Sequence, residues 1–420
     1  MFLSFFFIPA LATIFFIITL YPFALKIGLT DKPTHRKQHQ KHTPLIGGIA
    51  IYFAILLTLF LNDSPLPNQA AFIGASTLLV CVGLIDDYKD LSVKIRLIAQ
   101  IAAGLIMVEF AHIKIIDLGD LLGLGHIYLI GNYATAFTVF AVVGGINAFN
   151  MIDGIDGLAG SLALVSIASI ADISWIFQDW VLLKFCLIFI ASILAFLLFN
   201  LRIFGRSSAK IFLGDTGSTL FGFTICWLLI DASQGEKHLM MPTTALWIIA
   251  LPLLDSVCIM LRRLIKGRSP FNPDREHLHH IFHVAGYSVN QTLTIILIFS
   301  FGLSFAAITA NFFFKMPEPL LFGLFMALFI GYYWSIDRAW MIMKIYRYLR
   351  VTRVFDRRAE NQTTEFDMRS KTERRLVPTE KQLEEYHKDK KFFGLFLINN
   401  DTKENGQETP VETKDIDRRK

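Results

Sequence analysis

About eleven stretches of the chain are apolar for roughly 15 to 20 residues each, close to the length a helix needs to cross the hydrocarbon of a bilayer. They lie near 2–24, 45–62, 69–85, 97–112, 132–149, 158–177, 181–200, 218–232, 243–261, 291–311 and 319–336. A backbone inside lipid must satisfy its own hydrogen bonds, so runs of this kind predict helices. The expected fold is therefore all-α, a polytopic membrane protein with about 11 transmembrane helices. Composition agrees, with 54% hydrophobic and 18% charged residues in 420, where soluble domains carry about a quarter charged. Disordered, collagen-like and small disulfide-bonded classes are excluded. The first run lacks a basic leader and is too long for a signal sequence, so it reads as an anchor. Cys81, Cys186, Cys226 and Cys258 stand singly in apolar runs, which predicts packed, reduced thiols.

Short cytoplasmic loops are enriched in Lys and Arg. With the N-terminus periplasmic, the inner loops receive Lys26, Lys32, Arg36, Lys37 and Lys41, then Lys89, Lys94 and Arg96, then Arg202, Arg206 and Lys210, then Arg262, Arg263, Lys266, Arg268 and Arg275. The outer loops receive only Lys114, Lys237 and Lys315, with Lys184 near the outer end of a span. An odd number of spans also makes the C-terminus cytoplasmic. From Asp337 onward the character changes, because 20 of the 40 basic and 16 of the 35 acidic residues fall in this tail. Two domains are expected: 1–336 in the membrane, and 337–420 as a cytoplasmic tail that begins basic and amphipathic and continues disordered.

The polar clusters gather in the inner loops. Asp86-Asp87-Tyr88-Lys89-Asp90 closes the third run, and on a continuing helix Asp86 and Asp90 share a face. Carboxylates this close repel unless a cation sits among them, and Mg²⁺ together with substrate phosphates supplies one. A solvated acidic helix end neutralised by Lys89, Lys94 and Arg96 is the alternative. In the segment from Asn147 through Asn150, Asp153 and Asp156 to Gly157, amides and carboxylates recur every third residue. These are oxygen ligands for a hard cation, whereas capping explains only Asp156 and the glycines. Gly214-Asp215-Thr216-Gly217-Ser218 reads as a turn and helix start, able to hold an anion on its N–H groups or a metal on Asp215, or simply to cap. The long inner loop carries Arg275, His277, His279 and His280. No cysteine accompanies these histidines, so phosphate contact is favoured over zinc. Asp255 sits within an apolar run, where helical phase brings it near Arg262.

In this order the segments DKPTHRKQHQ and PLIGG (31–48), LIDDYKDLSVKIR (84–96), NAFNMIDGIDGLAG (147–160), IFLGDTGSTLFGF (211–223) and SPFNPDREHLHH (269–280) resemble the polyprenyl-phosphate N-acetylhexosamine-1-phosphate transferases, glycosyltransferase family 4. The similarity is to the branch acting on undecaprenyl phosphate with UDP-GlcNAc. It implies transfer of GlcNAc-1-phosphate to that lipid with release of UMP, as the first membrane step of O-antigen or enterobacterial common antigen type polysaccharide synthesis in the bacterial inner membrane, with the site facing the cytoplasm. Teichoic acid synthesis and other UDP-HexNAc donors fit the same frame. By this resemblance Asp215 and Asn150 bind Mg²⁺, or Mn²⁺, and Asp86, Asp87 and Asp215 are catalytic. Asp90, Asn147, Asp153, Asp156, Arg275, His277, His279, His280 and Lys41 contact the substrates. The implied partners are the two substrates and membrane lipids, with a homodimer allowed and no nucleic acid.

Two competing readings are weaker. The start of the Asp153 segment matches the CDP-alcohol phosphotransferase signature, but Gly160 stands where that signature needs arginine. An ion-coupled transporter would carry its charged groups near the midplane, and here they gather at the ends of the spans.

Overall fold

The computed structural model of the protein describes residues 2–31, 42–62, 68–234, 238–267, 277–336 and 338–339. The chain divides into a first unit, Met1–Trp340, and a second, Met341–Lys420. The described residues belong to the first unit; the expectations for the tail, and for Lys41 and Arg275, fall outside them.

Among the described residues the helices are α1 (Phe2–Ile27), α2 (Gly47–Leu61), α3 (Gln69–Lys89), α4 (Val93–Ala111), α5 (Asn132–Ile152), α6 (Leu158–Ile176), α7 (Trp180–Asn200), α8 (Gly214–Ser233), α9 (Pro242–Ile248), α10 (Ala250–Ile265), α11 (Leu278–Val284), α12 (Val289–Phe312) and α13 (Glu318–Ile336). The protein is thus an all-α, polytopic membrane protein. Seven of these helices are long and apolar enough to cross a membrane, or eight if α9 and α10 form one bent span. The expected runs all coincide with helices, although α2, α4 and α8 do not meet that criterion.

The shortfall of α8 has a physical reason. It is the centre of the bundle, packed against α2, α3, α5 and α6, and every residue in it except Asp215 and Asp231 is buried. A helix surrounded by protein need not satisfy lipid, so Thr, Ser and Gly are admissible along its length. The small residues let neighbours close in. A Cβ on Gly83 of α3 would lie 2.6 Å from Thr216 Cα, and one on Gly222 of α8 would lie 2.6 Å from Ile146 Cα of α5.

The run near 243–261 breaks into α9 and α10, which meet at 82°. Pro252 lacks the N–H that would bond the Ile248 carbonyl four residues earlier, and its ring crowds that carbonyl. The carbonyl instead accepts from the hydroxyls of Ser166 (3.2 Å) and Ser304 (3.4 Å).

Two short strands, β1 (Thr30–Asp31) and β2 (Thr43–Pro44), pair antiparallel after α1. The chain beyond β2 runs beside the segment leading into α8. Phe212 donates its N–H to Pro44 O (2.8 Å), while Gly47 and Gly48 donate theirs to Phe212 O and Leu213 O (both 2.9 Å). Of the thiols, Cys186, Cys226 and Cys258 are buried as expected, whereas Cys81 is exposed on α3.

The end of the bundle away from the Asp86 segment is closed by a hydrogen-bonded network. Gln234 accepts from the N–H groups of Ile116 and Asp117 and donates to Asp117 O. Glu318 accepts from the Asp120 N–H (2.9 Å) and from the N–H (3.2 Å) and hydroxyl (2.8 Å) of Thr243. His126 Nδ1 pairs with Asp117 Oδ2 at 2.7 Å.

Candidate active site

The site forms where α3 and α5 end and α8 begins. Asp86 and Asp87 are adjacent on α3, and the roughly 100° between successive helical residues sends them different ways. Asp87 turns to the start of α8: one of its oxygens accepts from the Asp215 N–H (2.7 Å), the other from the Thr216 N–H (3.2 Å) and hydroxyl (2.7 Å). The unpaired N–H groups of a helix start attract negative charge, and here the anion is the protein's own side chain. Gly214 permits this approach, with φ at +75° and a Cβ position that would lie 3.0 Å from Asp87 Cγ.

Asp86 is sealed in. Its carboxylate accepts from the Leu91 N–H (2.6 Å) and from Arg96 Nη1 (3.2 Å). The same Arg96 nitrogen is 3.6 Å from Asp215 Oδ2, so the guanidinium bridges the two acids. Side-chain exposure separates their tasks: 2% for Asp86 against 39% for Asp215. Asp215 is the carboxylate that a ligand can reach. Asn150, at the end of α5, donates from Nδ2 to Asp215 Oδ1 (2.8 Å) and Ser218 Oγ (3.0 Å). Its nitrogen is committed, which leaves a cation only the amide oxygen.

Asn147 lies one turn deeper and donates to Gln100 Oε1 of α4 and to Val143 O (both 2.7 Å). Asp153, just past α5, is exposed. Although the residue presents surface to solvent, protein packed about its carboxyl desolvates it, and this, then the charges of Asp215, Asp87 and Asp156, raises its pKa above the usual carboxylate range. Asp156 turns away to Arg202 Nε (2.7 Å) and the Ala209 N–H (3.0 Å), bracing the loop before α8. The expectation that Asp90 shares a face with Asp86 is corrected. The helix stops at Lys89, and Asp90 closes it at φ 54° with its N–H on Asp86 O, a left-handed conformation that Asp tolerates.

The histidine segment forms α11 and the residue before it. His277 stacks parallel on His279, with ring centroids 5.7 Å and planes 6° apart. His279 is buried, packs over Gly154, and has no hydrogen-bond partner for either ring nitrogen among the described residues. Burial, then the neighbouring His280, His277 and His283, hold its pKa well below the usual range. Asp255 bonds to His277 Nδ1 (2.8 Å), the Leu278 N–H (3.1 Å) and the Tyr332 hydroxyl (2.9 Å), partners that helical phase did not indicate. Gln100 and Tyr332 are further members that sequence reasoning missed, and Thr216 and Ser218, read there only as part of a turn and helix start, bond Asp87 and Asn150 directly. Gln100, a lone amide in an apolar run, was the available signal.

The structure therefore brings together Asp86, Asp87, Asn150 and Asp215, with Asp153 close by. Among the described residues no three acidic, histidine or cysteine side chains converge as a ready metal cage. The set still fits Mg²⁺, which needs only one or two carboxylates when phosphates and water complete its shell.

Residues 69–233, which contain all of these acids except Asp255, match the family model described as Glycosyl transferase family 4. The chain is 41% identical over 339 residues to the undecaprenyl-phosphate alpha-N-acetylglucosaminyl 1-phosphate transferase of Escherichia coli O157:H7, covering 80% of this chain and 92% of that protein. It belongs to glycosyl transferase family 4. Proteins of the same description from Salmonella typhimurium (42% over 356 residues; 84% of this chain, 96% of the relative) and Pasteurella multocida (40% over 344; 82% and 95%) are similarly close. As a family 4 member, the chain has its acidic motifs on the helix ends described above.

Proposed function

We propose that this family 4 protein transfers GlcNAc-1-phosphate from UDP-GlcNAc to undecaprenyl phosphate, giving undecaprenyl-diphospho-GlcNAc and UMP. The observation that carries the reading is the cluster of Asp215, Asp86, Asn150 and Arg96 at one end of the bundle, in a chain that covers 92% and 96% of relatives named for this reaction. The excess of Lys and Arg in the loops at that end supports a cytosolic site in the bacterial inner membrane, where both anionic substrates would be drawn to it.

In the reaction an oxygen of the lipid phosphate forms a bond to the phosphorus that carries the sugar. The bond from that phosphorus to the oxygen leading to UMP breaks, and UMP departs with the negative charge. A phosphate monoester has its second pKa near about 6 and is mostly dianionic above pH 7. No base is then needed, and Asp86 serves to orient Arg96, whose guanidinium meets phosphate oxygens. Asp87 acts through Asp215, by fixing the backbone that carries it. Asp215, with Asp153 or the Asn150 oxygen, would hold Mg²⁺ or Mn²⁺, which would supply positive charge against the phosphate oxygens. The histidines of α11 border the Asp153 turn and suit the sugar and diphosphate of the donor.

The test is lipid labelling. Membranes containing the protein, given radiolabelled UDP-GlcNAc and Mg²⁺, should yield labelled extractable lipid, lost on chelation and reversed by excess UMP. Absence of Mg²⁺-dependent label in membranes with correctly inserted protein would overturn the proposal.

A further inference from the structure

Asp255 is fully buried and takes no part in the mechanism above, yet three donors converge on it from two other parts of the chain: the His277 ring, the Leu278 N–H and the Tyr332 hydroxyl of α13. We propose that Asp255 is a positioning residue for the nucleotide-sugar half of the reaction: it holds His277, and through it the stacked His279, against the turn that carries Asp153.

The proposal rests on the function read above and adds a residue to it. A helix of seven residues such as α11 has little stability of its own, so tertiary bonds decide where it lies. Asp255 provides two of them, side by side, to His277 and to the first residue of α11. A carboxylate removed from water makes strong hydrogen bonds to the donors that replace it, and Tyr332 supplies the third. The bond from its Nδ1 to Asp255 fixes which way the His277 ring faces. The parallel stack then transmits the placement of His277 to His279, whose ring covers Gly154 beside Asp153. Among the described residues, none of the hydrogen bonds that hold Asp255 and His277 reaches Asp86, Asp87 or Arg96, so the lipid phosphate should not sense them directly.

The experiment compares wild type, Asp255→Asn, Tyr332→Phe, His277→Asn and the Asp255→Asn/His277→Asn double variant as full-length protein in the lipid-labelling assay, each substrate varied in turn. Direct binding of UMP is measured alongside. Asp255→Asn should raise KM for UDP-GlcNAc and weaken UMP binding by about tenfold, leave KM for undecaprenyl phosphate within about twofold, and add little to His277→Asn in the double variant. Tyr332→Phe should shift donor KM in the same direction by about threefold, and it carries the test if Asp255→Asn fails to accumulate. Equal rises for both substrates, an unchanged donor KM, or fully additive losses in the double variant would overturn the inference while leaving the function standing. Wild-type protein that labels no lipid would overturn the function and this inference together.

Discussion

Glu318 at one end of the bundle and Asp86 at the other are buried to nearly the same degree, 7% and 5%, but they keep different company. Glu318 receives three neutral donors from the Thr243 and Asp120 positions. Asp86 receives one N–H and a shared guanidinium, and it faces a second carboxyl, that of Asp215, close enough to hydrogen-bond. The first arrangement is complete in itself. The second carries unbalanced negative charge that a cation and substrate can settle, and such concentration of acids is a mark of chemistry more than of folding. What separates a structural from a functional buried acid here is the set of donors it has been given, since residue type and depth are alike.

The sharpest way to break the comparison is at Asp215. Asp215→Asn keeps the size and the α8 backbone bonds to Asp87 but removes the reachable charge, and transfer should fall by about 10³-fold or more, with thermal stability unchanged or higher because repulsion is relieved. Residual transfer within tenfold of wild type would remove Asp215 from the centre. At the other end, Glu318→Gln replaces one acceptor oxygen by a donor and should cost about 1 to 3 kcal/mol of stability, read as a lowered melting temperature in detergent, with the labelling rate per folded molecule unaltered. The opposite pattern would mean that the far network serves the reaction.

A smaller, pH-dependent effect is expected from Asp153. Its pKa stands near 8 in the fold against 3.8 for a free side chain, so the folded state retains a proton that the unfolded state loses. The resulting stabilisation is full below about pH 4 and disappears as pH rises through about 8. In divalent-free buffer the wild-type melting temperature should fall between pH 5 and 8 relative to Asp153→Asn, whose side chain does not titrate; parallel curves would refute the assignment.

The membrane architecture was legible because lipid leaves the sequence few options: long apolar runs, with charges confined to their ends. The parts that were not legible lie where protein replaces lipid. The segment Gly214–Ser218 reads as a turn and helix start because it is polar and rich in glycine, but nothing in it shows that the helix it opens is the most enclosed one. Arg96 reads as an orientation charge, or as one of three cations neutralising the Asp86 helix end; the fold is what sets it between Asp86 and Asp215. Asp153 and Asp156 share one motif and one residue type, and the turn between them sends one to the acidic cluster and the other to Arg202.

Where Gly83 meets Thr216, and Gly48 meets Gly217, the chain has bare backbone against bare backbone directly behind Asp215. These contacts act as a gauge: they set the distance between two helices by the thickness of the main chain alone, with no side chain whose rotamer could drift. Since a misplacement of about 1 Å can cost 100-fold in rate, an added methyl at Gly83 would work as a shim, shifting the carboxylate off its mark without touching any group that reacts. The specification of the proposed catalytic centre therefore includes positions that have no chemistry of their own.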